Sequence, residues 1–249
     1  MKIHKEAVRF GLLLTPVGIA CAIYLSLTNI QMALNMGIEP SKPLIFIASI
    51  VQIALIYTLL LSYLGYQLAQ KVGLMKPLGL NSNTFKPILL LSLFAALVML
   101  SDYFLFAPYI PQVLSRYERE SFTLSALIFS MLYGGVIEEI MLRLFFLSLL
   151  VVILDLLFKR TKQGLPIPSF YYCLCNAVSA LFFALGHLPA TQAAFGELSF
   201  LIILRTLVLN GALGYLFGWI FITFGIQWAM LTHALTHLFS QAFLLLFIL

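Results

Sequence analysis

Apolar positions fill this chain in seven long runs, separated by short polar or basic stretches. Most of the runs are close to the roughly 20 residues that an α-helix needs to cross a bilayer core of about 30 Å. They cover 9–30, 44–67, 87–108, 122–158, 170–188, 200–224 and 226–249. The fourth is too long for one straight span. Either its end, 147–158, lies along the interface, or the run breaks at Gly134-Gly135 and supplies an eighth span; the interfacial end costs less. Gly225 alone separates the last two runs, which predicts a tight helical hairpin. The predicted fold class is therefore all-α, a polytopic transmembrane helix bundle of about seven helices, or eight if the fourth run breaks. One integral-membrane domain is expected over 1–249, with no soluble domain, internal repeat or low-complexity linker.

Composition agrees with this class. Of 249 residues, 62% are hydrophobic and 9% charged, and the mean hydropathy is +1.06. Soluble domains carry about 25% charged residues, so a soluble enzyme is excluded. The net charge of +5 does not point to nucleic acid, because the basic residues fall in short loops. These loops alternate in charge. Lys2, Lys5, Arg9, Lys71, Lys76, Lys86, Lys159, Arg160 and Lys162 fall on one side of the membrane, against Lys42, Arg116 and Arg119 on the other. The positive-inside rule then puts the N-terminus in the cytoplasm, and a bacterial inner (plasma) membrane is the expected location. The basic start, Met1 to Arg9, looks like a signal peptide, but without a convincing cleavage site it is read as part of a retained first span. Cys21, Cys173 and Cys175 lie in apolar segments, where packing is their expected role.

The chemistry concentrates in 133–146, where Glu138, Glu139 and Arg143 interrupt an apolar run. A charge at the bilayer centre costs roughly 2.5–3.5 kcal/mol on insertion scales, so three in six residues require a reason. On a helix Glu139 and Arg143 are four apart and form a natural ion pair, while Glu138 points about 100° away and stays free. The bland alternative is that all three charges merely bind helices together. Histidine is scarce, yet His187, His233 and His237 all sit in apolar segments, the last two on one helical face. Three intramembrane histidines and a free carboxylate make a candidate site. Hydrolysis is the chemistry they suit: a glutamate acting on water, one histidine orienting it or carrying its proton, another holding an oxyanion. No serine or cysteine nucleophile motif is evident. A proton- or ion-coupled transporter is the other class that uses such residues, but it predicts an inverted repeat, and none is found.

Glu138-Glu139-x-x-x-Arg143, Phe183-x-x-x-His187 and His233-x-x-x-His237 resemble, in order and spacing, the CAAX prenyl protease and bacteriocin-processing (Abi) family. The stretches Gly214-Tyr215-Leu216-Phe217-Gly218-Trp219 and Gln227-Trp228-Ala229 are similar to its last helical hairpin. The resemblance covers about 124–239, and a catalytic core is expected over 122–239. It implies an intramembrane endopeptidase acting on a protein or peptide at the bilayer. Glu138 and His187 would activate water, and His233 with His237 would bind the oxyanion. Glu139 and Arg143 would hold the site together. His237 stands where the family usually has Asn or Asp. The resemblance implies no cofactor on the favoured metal-free mechanism; the alternative is zinc held by Glu138, His187, His233 and His237. The substitution also admits a catalytically silent scaffold or immunity protein. Neither the substrate nor the oligomeric state can be read from the sequence.

One expectation conflicts with this set: in a simple seven-span drawing His187 lies near the outer end of its helix and His233 near the inner end of its own. Other residues receive structural readings. Gly214-x-x-x-Gly218 favours close helix packing. Arg205 is expected to snorkel, Asp102 and Asp155 to reach the interface, and Asn210 to bond across to the seventh run. Phe145-Phe146 and Phe182-Phe183 are read as lipid or packing surface.

Overall fold

A computed structural model of the chain describes residues 4–79, 81–119 and 122–248. Seven helical segments in it are long and apolar enough to cross a membrane. Among the described residues there is no strand. The spans are α1 (Lys5–Asn35), α2 (Lys42–Lys71), α3 (Ser82–Leu105), α4 (Leu124–Phe158), α5 (Ser169–Gly186) continued by α6 (Leu188–Phe195), α7 (Phe200–Phe224) and α8 (Ile226–Phe247). The protein is an integral membrane protein, all-α in class. Between α3 and α4 the chain makes three short turns, Ala107–Tyr109, Pro111–Leu114 and Ser115–Tyr117. These lie at the far end of the bundle, opposite the start of α1.

Local chemistry starts and stops the helices. Side chains of Asn81, Thr123 and Ser199 accept from backbone N–H groups in the first turns of α3, α4 and α7, which have no carbonyl partner inside the helix. Gly225 joins α7 to α8 at φ +106°, a conformation that side-chain-bearing residues rarely adopt, so the two helices form the expected tight hairpin. At the other end of α4, Asp155 accepts from the Thr161 amide (3.0 Å) and hydroxyl, closing the helix where Lys159 turns left-handed at φ 54°.

The fourth run is one continuous helix, and 147–158 does not turn along the interface. Val151 and Val152 are buried in the main core with Phe10, Ile88, Ile220, Phe221 and Trp228. Gly65 of α2 explains how close this part packs: a Cβ there would lie 2.9 Å from the backbone of Leu144. Nor does α4 break at Gly134-Gly135. Instead it widens into π-helical turns over Tyr133–Glu138 and again over Ile140–Leu147. Such widening is rare and is frequently found at functional sites.

Small residues set the packing of α7 on α5. A side chain at Gly214 would meet Phe183 and Ala180, and one at Gly218 would overlap the Asn176 amide. Asn176 donates instead to the Tyr215 carbonyl at 2.9 Å.

Candidate active site

Glu139 is fully buried and lies 3.2 Å from the equally buried Arg143. Arg143 also donates to the Gly214 carbonyl (3.1 Å), and its guanidinium carbon sits 4.4 Å from the Phe183 ring and 5.6 Å from that of Phe217. The expected ion pair thus ties α4 to α5 and α7. A buried guanidinium needs a counter-charge, so Glu139 is anionic and can only accept. His233 therefore donates its Nδ1–H to Glu139, at 2.8 Å. That leaves the His233 Nε2 as a lone pair.

His187 reaches the same state by another route. The backbone tightens just before Pro189, and the His187 amide donates to Ala184 rather than to Phe183. The freed Phe183 carbonyl accepts from the ring Nδ1–H of His187 at 2.8 Å. Its Nε2 is then also a lone pair. Both face Glu138: His187 Nε2 lies 3.9 Å from one carboxylate oxygen, and His233 Nε2 lies 3.9 Å from the other. Among the described residues Glu138 has no direct hydrogen bond.

The conflict in depth is resolved by the length of the fifth span. It continues through α6 to Phe195, because Pro189 occupies the first turn of a new helix, where its missing N–H costs nothing. His187 is thus about two helical turns inside the far end, and Glu138 and His233 are each about four turns inside it. They share one cavity of about 180 Å³, with His237, Asn210 and Tyr133 also in its wall. A second cavity of about 140 Å³, between α4 and α5, also touches Glu138, His187 and Tyr133. The carboxylate therefore stands where the two meet.

His237 stacks on His233, with centroids 5.2 Å apart, and no hydrogen bond among the described residues fixes its ring. Both rings fit because position 134 is glycine. A Cβ at Gly134 would be 2.9 Å from each Nε2.

Residues 119–239 match the family model for Rce1-like, type II CAAX prenyl endopeptidase. This stretch, a little under half of the chain, is similar to that family. The match supports a CAAX-type protease in general terms. The Rce1-like stretch holds all six residues described above, and it spans α4 to α8. No curated protein and no solved structure matches the chain.

Several smaller expectations are corrected. Arg205 does not snorkel: its Nε lies 2.6 Å from buried Asp102, which consequently does not reach the interface. Asp155 is buried too, in the helix-closing contact already described. Asn210 donates to the Thr206 carbonyl of its own helix, not across to α8. Phe183 is not lipid surface but part of the cavity wall, and Cys173 is exposed where packing was expected. Tyr133, Gly134, Asn210 and Phe217 went unread as site residues. The pairing of Gly134 with two histidines four apart is the one signal that could have found one of them.

Proposed function

We propose that the protein is an intramembrane endopeptidase in which Glu138 and His187 activate the attacking water. The observation that carries this reading is the convergence of two imidazole lone pairs on the unpaired Glu138 carboxylate. A separation of 3.9 Å is too long for a direct hydrogen bond and suits two acceptors that share one water. Such a water donates one hydrogen to Glu138 and the other to His187, which turns its own lone pair toward a peptide carbonyl. Attack forms the carbon–oxygen bond and passes the proton to Glu138, which returns it to the departing amine nitrogen.

The oxyanion needs a donor, and neutral His233 has none to offer, because its N–H is engaged by Glu139. His237, with its ring unengaged, takes that role. Histidine thus supplies what an amide supplies elsewhere in the family. His233 Nε2 faces Glu138 on its second side, 3.9 Å away, and Glu139 with Arg143 holds that ring in one tautomer. The substrate is a peptide segment at or in the bilayer. For the cytoplasmic N-terminus, the support is the nine-to-three Lys/Arg imbalance between the two sides.

Zinc is the competing reading, since lone pairs at His187 and His233 beside a carboxylate are the donors it prefers. The distances do not fit it. Ligands at zinc bond length stand about 3.3 Å apart in a tetrahedral site, against 3.9 Å for both histidine–Glu138 pairs. Among the described residues no group of three His, Cys, Asp or Glu is placed to hold a metal ion.

The test compares newly exposed peptide termini in membranes carrying the native protein with those carrying Glu138→Gln. Termini that appear only with the native protein, and persist after treatment with a zinc chelator, support the metal-free peptidase. Identical termini from two stably inserted proteins would overturn it and favour the silent scaffold.

A further inference from the structure

At the end of the bundle where α1 begins, the outer surface of α1 and α2 carries a hollow of about 400 Å³. It is lined by Val8 and Leu12 of α1 and by Leu55, Leu59, Leu60 and Tyr63 of α2. Leu12, Leu55 and Leu60 are each about half exposed, so the hollow opens toward the lipid. Two features of the chain build it. Gly11 lets the two helices touch along its inner edge, where a Cβ would lie 2.7 Å from the Ser62 hydroxyl oxygen and 3.3 Å from Leu59. The second is the π-helical stretch of α2 over Ile50–Leu60. Leu55 and Leu60 are five apart, which on an α-helix would turn them about 140° from each other. A π-turn bonds residue i to i+5 and brings such a pair onto one face. The apolar wall therefore runs along α2 from Leu55 to Tyr63, about 10–12 Å at a rise of up to 1.5 Å per residue. One leaflet of the hydrocarbon core is about 15 Å thick.

Basic side chains stand at one end of this wall. Lys5, Val8, Arg9 and Leu12 fall within an arc of about 100° on α1, with the two cations nearer the membrane surface. Helical side chains lean toward the helix start, so Lys5 and Arg9 lean away from the apolar wall and toward the headgroups. Both are exposed, and among the described residues neither makes an ion pair. The adjacent carboxylate, Glu6, is taken by the Tyr66 hydroxyl at 3.0 Å. Four residues apart on one helix, Lys5 and Arg9 are close enough to hold one phosphate between them.

We propose that this hollow seats an acyl chain of an anionic phospholipid whose headgroup lies between Lys5 and Arg9. An apolar wall most of a leaflet long suits a lipid chain, and unpaired cations at its surface end suit negative charge. The hollow is separate from the Glu138 cavity, so this inference does not depend on the peptidase reading. It has a structural consequence for the helix that carries Glu138. Through Gly65, α2 packs on the α4 backbone at Leu144, so a lipid that braces α1 against α2 also supports α4.

Native mass spectrometry of the purified protein in neutral detergent tests this with two probes of matched acyl chains, phosphatidylglycerol and phosphatidylcholine, in equal amounts. The first lipid retained is expected to be phosphatidylglycerol by about tenfold. A Lys5→Gln/Arg9→Gln protein, changed only at exposed positions, is expected to bring that ratio near one. Leu60→Trp keeps both cations but fills the hollow, and should lower retention of the first phosphatidylglycerol about tenfold. Equal retention of the two lipids by the native protein overturns the proposal. So does a preference that survives the loss of both cations, which places the anionic lipid elsewhere on the surface. Retention that Leu60→Trp leaves intact also overturns it, and reduces the contact to attraction of headgroups by a basic helix end.

Discussion

Glu138 and Glu139 are neighbours in sequence whose carboxylates are held in opposite ways. Glu139 lies 3.2 Å from Arg143 and accepts from His233 at 2.8 Å, fully buried, while each oxygen of Glu138 faces a histidine nitrogen at 3.9 Å across a cavity. The same isosteric change should therefore have different effects at the two positions. Glu138→Gln removes a base and breaks no ion pair, so activity is expected to fall by about 10²–10⁴-fold with the unfolding temperature unchanged. Glu139→Gln leaves Arg143 buried without its counter-charge, a loss of about 3–5 kcal/mol. Thermal unfolding in detergent, run beside a cleavage assay, separates the two. Equal destabilisation by both would contradict the division of roles.

Adjacent glycines make a similar contrast. A methyl at Gly134 would lie 2.9 Å from the Nε2 atoms of His233, held by Glu139, and of His237, whose unengaged ring can turn away. A methyl at Gly135 would lie 3.0 Å from the Met230 carbonyl oxygen and 3.1 Å from the Ala234 nitrogen, which cannot move without α8. Gly134→Ala is expected to lose at least about tenfold in activity with little change in stability, because alanine's helix preference of about 0.5–1 kcal/mol offsets the strain. Gly135→Ala is expected to cost about 1–3 kcal/mol of stability. A Gly134→Ala protein with native activity would remove the reason given for glycine there.

Tyr117 donates to Asp102 at 2.7 Å from the connection between α3 and α4. Burial, and then the Asp102 carboxylate, push its phenol above the ordinary tyrosine range. The fold thus favours the protonated form. Its contribution is fully present below pH of about 10, where an unfolded tyrosine begins to ionise, and is lost as pH rises through the higher folded value. Relative to Tyr117→Phe, the native protein should lose stability on the alkaline arm, and the difference between them should be constant below about pH 9. Unfolding temperatures of both proteins across pH 7–11 check this. A difference independent of pH would show that the hydroxyl is not coupled to Asp102.

The helical class, the number of spans and the Glu139–Arg143 pair were legible from the sequence because each depends on local spacing alone. A run of apolar residues needs no partner to be recognised, and neither does an i, i+4 ion pair. Other features depended on partners distant in the chain. Arg205 looked like a snorkelling cation because Asp102, 103 positions earlier, is invisible as its partner until α3 and α7 pack together. His187 reads as a helix-end residue because the apolar run stops at 188, yet Pro189 begins α6 and leaves the histidine inside the span. Phe183 read as packing surface, but its carbonyl and ring fix His187 and Arg143. The π-helical widening at Tyr133–Glu138 was likewise hidden: a Gly-Gly pair signals a possible break, and only the close approach of α8 shows why the helix widens rather than parts.

His237 is where this chain departs from the pattern of the family it resembles, and its substitutions distinguish the competing chemistries. If its ring donates to the oxyanion, His237→Ala should lower kcat by about 10²–10³-fold, the usual cost of removing one such donor. His237→Asn keeps an N–H on a shorter side chain and should recover most of that loss, to within about tenfold of the native rate. A zinc site predicts the reverse for asparagine, a poor substitute for imidazole, together with loss of activity on chelation. A silent scaffold predicts no change in either variant. Rates of product formation for the three proteins, with and without chelator, therefore give a different pattern for each reading. The metal-free peptidase fails if His237→Asn is as inactive as His237→Ala and added zinc restores the native protein after chelation.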